Sequence, residues 1–158
     1  MLKISVIAIG RMGRGPEAEL AQHYANQFSS LHNRWRLTMV EIDDRKAPSD
    51  NSRKRWDADQ IFSKCGDDAA LISLDERGKA MSSLGFAQTL ARFEDQARPV
   101  CFAIGGPDGL DDSVRKRSDH CFSFGTLTWP HRLVRVMLAE QLYRAAAIDA
   151  GHPYHREG

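Results

Sequence analysis

The chain has 158 residues, 42% hydrophobic and 27% charged, with a formal net charge of +1. That is the balance of an ordinary globular chain long enough to bury its own core, and it excludes a global electrostatic field for nucleic acid. No apolar run approaches the ~20 residues needed to cross a bilayer, and Cys65, Cys101 and Cys121 have no CxxC spacing. The cysteines therefore argue for a reducing compartment and against a disulfide framework or zinc knuckle, so a soluble, cytoplasmic protein of one domain spanning residues 1–158 is expected.

Leu2–Ile9 is an almost continuous apolar run ending in Gly10, which fits a strand buried on both faces. Gly13 and Gly15-Pro16 form a turn, and Glu17–Phe28 reads as a helix with Leu20, Tyr24 and Phe28 on one face. Leu37–Ile42 is a second strand, and the polar Asp43–Ser52 stretch with Pro48 is a loop. Arg53–Lys64 forms a short helix and Ala69–Leu74 a third strand, ending at Asp75-Glu76-Arg77-Gly78. Ser82–Gln96 is a helix, Pro99–Ile104 a strand, Leu110–Arg117 a short helix and His120–Phe124 the fifth strand. This alternation predicts an α/β fold, a mainly parallel sheet with helices on both faces. Arg53-Lys54-Arg55 and Arg115-Lys116-Arg117 are local basic patches that also read as solvated helix faces.

The last helix, His131 to about Ala150, starts after Pro130. Its apolar residues leave no clean polar face, so it is expected to lie buried between its own sheet and a partner. Glu140 and Arg144 stand four apart and can pair along it.

Ligands of α/β sheets bind beyond the carboxyl ends of the strands. Three such ends carry ligand-type turns: Leu74-Asp75, Gly105-Gly106-Pro107-Asp108-Gly109, and Gly125-Thr126-Leu127-Thr128-Trp129-Pro130. Main-chain groups there can hold a flat ring flanked by Leu74, Leu127 and Trp129, whereas no GxGxxG or Walker lysine is present. The tail His152-Pro153-Tyr154-His155-Arg156 sits where chains fray, yet ring, imidazole and guanidinium together can stack on a splayed base and contact phosphate. Two histidines without neighbouring Cys or carboxylate ligands make a poor metal site.

The run I-G-G-P-D-G-L from Ile104, then F-S-F-G-T-L-T-W-P-H-R-L-V-R-V-M-L-A-E-Q-L-Y-R-A, then H-P-Y-H-R-E closely resembles the ribosomal RNA large subunit methyltransferase H family, of the SPOUT class. The resemblance is strong from about Leu74 onward, weaker but colinear over Leu2–Phe28, and near-absent over Asp43–Cys65. Gly125, Trp129 and Arg132 depart from choices seen in relatives.

This resemblance implies a C-terminal trefoil knot, an exception to the rule that chains do not thread loops. It further implies a homodimer and an S-adenosylmethionine-dependent enzyme that methylates N3 of a pseudouridine in 23S rRNA, in the large subunit or assembled ribosome. Cofactor-binding positions are those matching Leu74, Gly106, Gly125, Thr126, Leu127, Thr128, Trp129 and Pro130. The tail is expected near the partner's cofactor, with Tyr154, His155 and Arg156 as catalytic residues. Arg135, Arg144 and His152 are assigned to substrate, an ion-pair role being the alternative for the two arginines. The acceptor N3–H must lose its proton; His155 is the best base by intrinsic basicity, with water or hydroxide as the alternative. Deleting the tail is expected to change melting little. A non-catalytic RNA-binding or ribosome-assembly factor on the same scaffold, and a flavodoxin-type nucleotide-binding enzyme, are the competing functions.

Overall fold

The first strand, β1 (Leu2–Ile9), faces two ways. Leu2, Ile4, Val6 and Ala8 enter one core, Ile7 and Ile9 another, which is why nearly every position is apolar. The computed structural model describes residues 1–31 and 33–157. In it β1 is followed by α1 (Pro16–Leu31), β2 (Trp35–Ile42), α2 (Arg53–Cys65), β3 (Ala70–Lys79), α3 (Ser83–Asp95), β4 (Val100–Ile104), α4 (Asp112–Arg117), β5 (His120–Phe122) and α5 (His131–Asp149). The sheet runs β2-β1-β4-β3-β5 with every pair parallel. Helices α3 and α5 share one core, joined by Phe28 of α1, while α2 and α4 cover the opposite face. Among the described residues no helix is long and apolar enough to cross a membrane.

Local chemistry sets the helix ends. Ser82 Oγ accepts from the Gly85 amide at 3.0 Å, and an Asp111 carboxylate oxygen accepts from the Ser113 amide at 3.1 Å, each satisfying a free first-turn donor. α2 stops at Gly66, whose positive φ of 77° favours glycine.

Two sequence expectations change. α5 is apolar nearly all round because α1, α3 and the sheet all pack on it within the chain. Leu138, Ala139, Leu142, Ala145 and Ala146 are buried without any partner, while Arg132 and Leu133 are exposed. The helix's apolarity is thus no argument for a second chain.

Strand β3 also does not end at Leu74. It pairs Leu74 with Phe122, bulges through residues 75–78, and pairs again at Lys79 with the same Phe122. The Ser123 amide then donates to Lys79 O at 3.0 Å. The bulged chain passes so close to β5 that a Cβ on Gly78 would lie 2.6 Å from the Cys121 carbonyl oxygen. D-E-R-G reads as a turn from sequence, but the glycine is there for this backbone crossing.

Gly78→Ala should therefore destabilise the protein by about 1–3 kcal/mol or more, since backbone rather than a flexible side chain stands in the way. The urea midpoint of the variant checks this; a midpoint equal to that of the parent would show slack at the crossing.

Candidate active site

The bulge after Leu74, the Gly105–Gly109 turn and the 123–130 segment meet at the carboxyl ends of β3, β4 and β5. They enclose a cleft of about 260 Å³. Leu74, Gly106, Gly125, Leu127, Thr128 and Trp129 all line it; Thr126 and Pro130 belong to the same segment and are exposed. Its depth is apolar, from Leu74, Ile104, Phe122 and Val134, and Leu127 stands 69% exposed at the lip.

Several lining residues had no role assigned from sequence, although Asp75 and Asp108 lie in the strand-end turns singled out there. Asp75, Glu76 and Asp108 bring carboxylates, and His131 an imidazole. The signal for the first two was the D-E-R-G bulge, which looked like a simple strand end. Burial pushes the Asp75 carboxyl up, but the Arg77 amide and the Arg115 and Arg77 guanidiniums outweigh it and hold the group below its ordinary range. Arg115 Nη1 lies 2.9 Å from Asp75 Oδ2. His131 is held below its usual value by burial, then by the nearby Arg135 and Arg132 charges, so its ring is neutral at pH 7.

The 123–130 segment is fastened to the bulge. Ser123 Oγ lies 3.4 Å from Glu76 O and 2.7 Å from Gly125 O, and it accepts from the Gly125 amide at 3.0 Å. Thr128 Oγ1 donates to Glu76 Oε2 at 3.3 Å. Gly125 adopts φ +116° with nothing within 4 Å of a would-be Cβ, so glycine is needed there for conformation rather than for space. Gly106 is different. Its Cβ would point away from the cleft, 3.3 Å from Ile9 Cγ2 and 3.7 Å from Asp57 Oδ2, so a side chain there disturbs the core behind the turn and does not fill the ligand space.

Arg135, assigned to substrate on sequence, is only 2% exposed. Its guanidinium donates to Ile9 O at 2.7 Å, Gly10 O at 2.8 Å and Glu41 Oε2 at 2.8 Å, and Glu41 Oε2 also accepts from the Met12 amide at 2.7 Å. Those donors tie α5 to the end of β1. The structure uses Arg135 for the fold.

Arg144 and the tail form a second cluster, at the other end of α5. Arg144 donates twice to Glu140 Oε1, at 3.0 and 2.5 Å, and lies over the Tyr154 ring at 4.8 Å. Tyr154 packs on Tyr143 with centroids 4.3 Å apart, and its hydroxyl donates to Glu140 Oε1 at 2.9 Å. Burial, then Glu140, pushes the phenol above its ordinary value. Arg144 Nη1 is 3.2 Å from His155 Nδ1. A guanidinium only donates, so Nδ1 accepts and the ring proton sits on Nε2, which faces Glu157 Oε1 at 2.8 Å. His152 and Arg156 are exposed. None of the five tail residues His152–Arg156 lines the cleft of its own chain.

Residues 2–155 match a family model described as "Predicted SPOUT methyltransferase". The chain is 45% identical over 159 residues to Ribosomal RNA large subunit methyltransferase H of Brucella anthropi, covering 98% of this chain and 99% of that protein. It is 47% identical over 154 residues to the protein of that name from Gluconacetobacter diazotrophicus, covering 97% of each. The chain belongs to this SPOUT methyltransferase family. The match runs through residues 43–65 as well, where the sequence by itself showed almost no resemblance. A probable methylase family protein from Haemophilus influenzae Rd KW20 shares the fold of the SPOUT chain, with a TM-score of 0.57 at 11% identity over 99% of this chain and 70% of that one.

Two measurements follow. The tail is not silent energetically: Tyr154→Ala removes ring burial and the Tyr143 contact and should cost about 2 kcal/mol, read as a lower melting temperature. Asp75 has a depressed folded pKa, so its stabilisation is complete above the unfolded value of ~3.9 and disappears as pH falls through the folded one. Asp75→Asn should accordingly be less stable at pH 7 and converge on the parent in acid; an equal gap at every pH would contradict this.

Proposed function

We propose that this chain is the S-adenosylmethionine-dependent enzyme that methylates N3 of a pseudouridine in 23S rRNA of the large ribosomal subunit. The observation that carries the reading is the cleft built from three strand-end turns in a chain whose near-full-length relatives bear the name Ribosomal RNA large subunit methyltransferase H. The residues present fit the cofactor. Leu74, Leu127 and Trp129 offer apolar surface to an adenine ring, the Gly105–Gly109 turn and Gly125 offer main-chain groups, and Asp75, Glu76 and Asp108 complement positive charge. Leu74, Gly106 and Gly125 to Pro130 are the residues assigned to hold it. When bound, the cofactor supplies an electrophilic methyl group on a positive sulfonium.

The chain's own task is to align the acceptor, exclude water and favour the anionic ring once N3–H is lost. His152 is the tail group assigned to the RNA, and Arg156, exposed with it, is assigned to catalysis. Tyr154 cannot serve as the base, since its phenol is held protonated through the neutral range. His155 remains the candidate.

The assembly proposed is a homodimer with shared sites. His131 lines the cleft and Glu140 holds Tyr154; they stand nine positions apart on α5, about 14 Å along the axis. A tail fastened at Glu140 is supplied more readily to a neighbouring chain's cleft than to its own. The proposed path of the chain is a trefoil knot, with the 123–130 segment threaded past the β3 bulge; the Gly78–Cys121 approach and the Ser123 and Thr128 contacts support it.

Mass-spectrometric mapping of methylated nucleosides in large-subunit rRNA, after incubation with enzyme and cofactor, tests the activity; absence of N3-methylpseudouridine would overturn it. A mixed dimer tests site sharing. Gly125→Val forces a β-branched residue to φ +116°, at about 1–3 kcal/mol, and should weaken cofactor binding roughly tenfold or more in titration calorimetry. Paired with a subunit carrying His155→Ala and Arg156→Ala, and assayed at subsaturating cofactor, it should restore one working site, giving activity well above that of either parent homodimer. A verified heterodimer without activity would leave each tail acting in its own chain.

A further inference from the structure

Cys65, Cys101 and Arg117 come together on the face of the sheet opposite α5, outside the cleft. Cys65 is the last residue of α2, Cys101 the second of β4, and Arg117 the last of α4. Both thiols belong to the same apolar core cluster, at 8% and 4% exposure. Arg117 is fixed in place: Nη2 donates to Gly66 O at 2.6 Å, the guanidinium lies over the Phe62 ring at 5.5 Å, and Nη1 lies 3.5 Å from Cys65 Sγ. The Cys101 thiol donates to the Cys65 carbonyl oxygen at 3.7 Å, which sets the two cysteines side by side. Register pairs Cys101 with Ser5 and Leu71, three residues before Ile104 at the cleft, about 10 Å along the strand.

We propose that Cys65 and Cys101 form a peroxide-sensitive dithiol, in which Cys65 is the sulfur attacked first and Cys101 resolves it to a disulfide. The Cys65 thiolate attacks one peroxide oxygen, the O–O bond breaks, and the hydroxide released takes a proton to become water, leaving Cys65–S–OH. Cys101 then loses its proton, its sulfur attacks Cys65, the S–O bond breaks and a second water leaves. Two thiols are oxidised by two electrons and one hydrogen peroxide is reduced to two waters. Contact with the Cys101 thiol, opposed by burial and aided by the Arg117 guanidinium, lowers the Cys65 pKa, while the same contact and burial raise that of Cys101. This is the division of labour the two steps need, because the thiolate is the reactive form.

Cys121 supplies an internal control. It is the more exposed thiol, so accessibility alone makes it react first, whereas the local charge makes Cys65 first. The folded, full-length protein is treated with graded hydrogen peroxide at pH 7, alkylated and digested for mass spectrometry. The expected product is a Cys65–Cys101 linked peptide pair, two hydrogens lighter, with Cys121 still alkylated. Cys101→Ala should abolish the link and leave Cys65 as the oxidised sulfur. Removing the cation in Arg117→Gln should slow Cys65 oxidation several-fold at pH 7, with Arg117→Lys restoring part of the rate. Should Arg117→Gln fail to fold, the pH profile of Cys65 alkylation in the parent replaces it, with its midpoint expected below that of Cys121. Oxidation of Cys121 ahead of Cys65, or a Cys65 midpoint at or above that of Cys121, overturns the proposal.

Discussion

The close crossing of the β3 bulge over β5 is the constraint on which the site depends. β5 is only three residues long and sits at the sheet edge, where so short a strand has little ladder to hold it. What holds it is contact from both sides. Phe122 packs against Phe86 and Phe124, and the backbone of residues 121–122 lies directly against Gly78. Because Lys79 returns to pair with Phe122 after Leu74 has done so, residues 75–78 must loop outward. That loop becomes one wall of the cleft, and the Ser123 and Thr128 contacts to Glu76 fasten the opposite wall to it. The cleft's shape is thus a consequence of backbone proximity, tolerable only where one residue lacks a Cβ.

Most of the elements were legible because most strands are buried on both faces and so appear as uninterrupted apolar runs between glycines. β2 was shortened by two residues, since it lies at the edge and exposes Arg36, Thr38 and Met39, which blur an apolar signal that starts at Trp35. The β3 extension was invisible for a different reason: its bulge has a turn's composition and gains its hydrogen bonds from a segment more than forty residues away. The cleft's glycines and Leu127 to Trp129 were legible by position, but the direction of a missing Cβ was not, which is why Gly106 turned out to face the core behind the turn. Arg135 reads as a site residue because a cation in an apolar helix looks anomalous. Only the fold shows that the Ile9 and Gly10 carbonyls and Glu41 take its two terminal nitrogens, with Nε left unpartnered.

Burial and charge divide α5 between two tasks. Its first turn contributes His131 and Val134 to the cleft, while its later turns carry the Glu140–Arg144 pair that receives the tail. Glu140 Oε1 accepts from both Arg144 and Tyr154, and Arg144 lies over the Tyr154 ring, so the three side chains cannot be varied independently. An exposed pair of this kind is worth little alone, but here the carboxylate is mostly covered and each member fixes the next. The tail is therefore an ordered extension of the helix rather than a frayed end.

That order constrains how His155 can act. With Nδ1 accepting from Arg144 and Nε2–H directed to Glu157, neither ring nitrogen has a lone pair free for a substrate proton. Acting as a base requires surrendering one of these contacts. The Arg144 contact is partly buried and shared with Glu140 and Tyr154, so breaking it disturbs the whole cluster. The Glu157 contact is made by a carboxylate 69% exposed, where water replaces the lost hydrogen bond at a cost of about 0–1 kcal/mol. Releasing Glu157 alone, however, frees the nitrogen that carries the proton and leaves the acceptor occupied. The ring must therefore also move away from Arg144, so that the Nδ1 lone pair can face a proton. Freeing the Nδ1 lone pair thus costs the Arg144 contact, so any proton transfer at His155 is tied to the state of the Glu140–Arg144–Tyr154 cluster rather than to the exposed Glu157 contact.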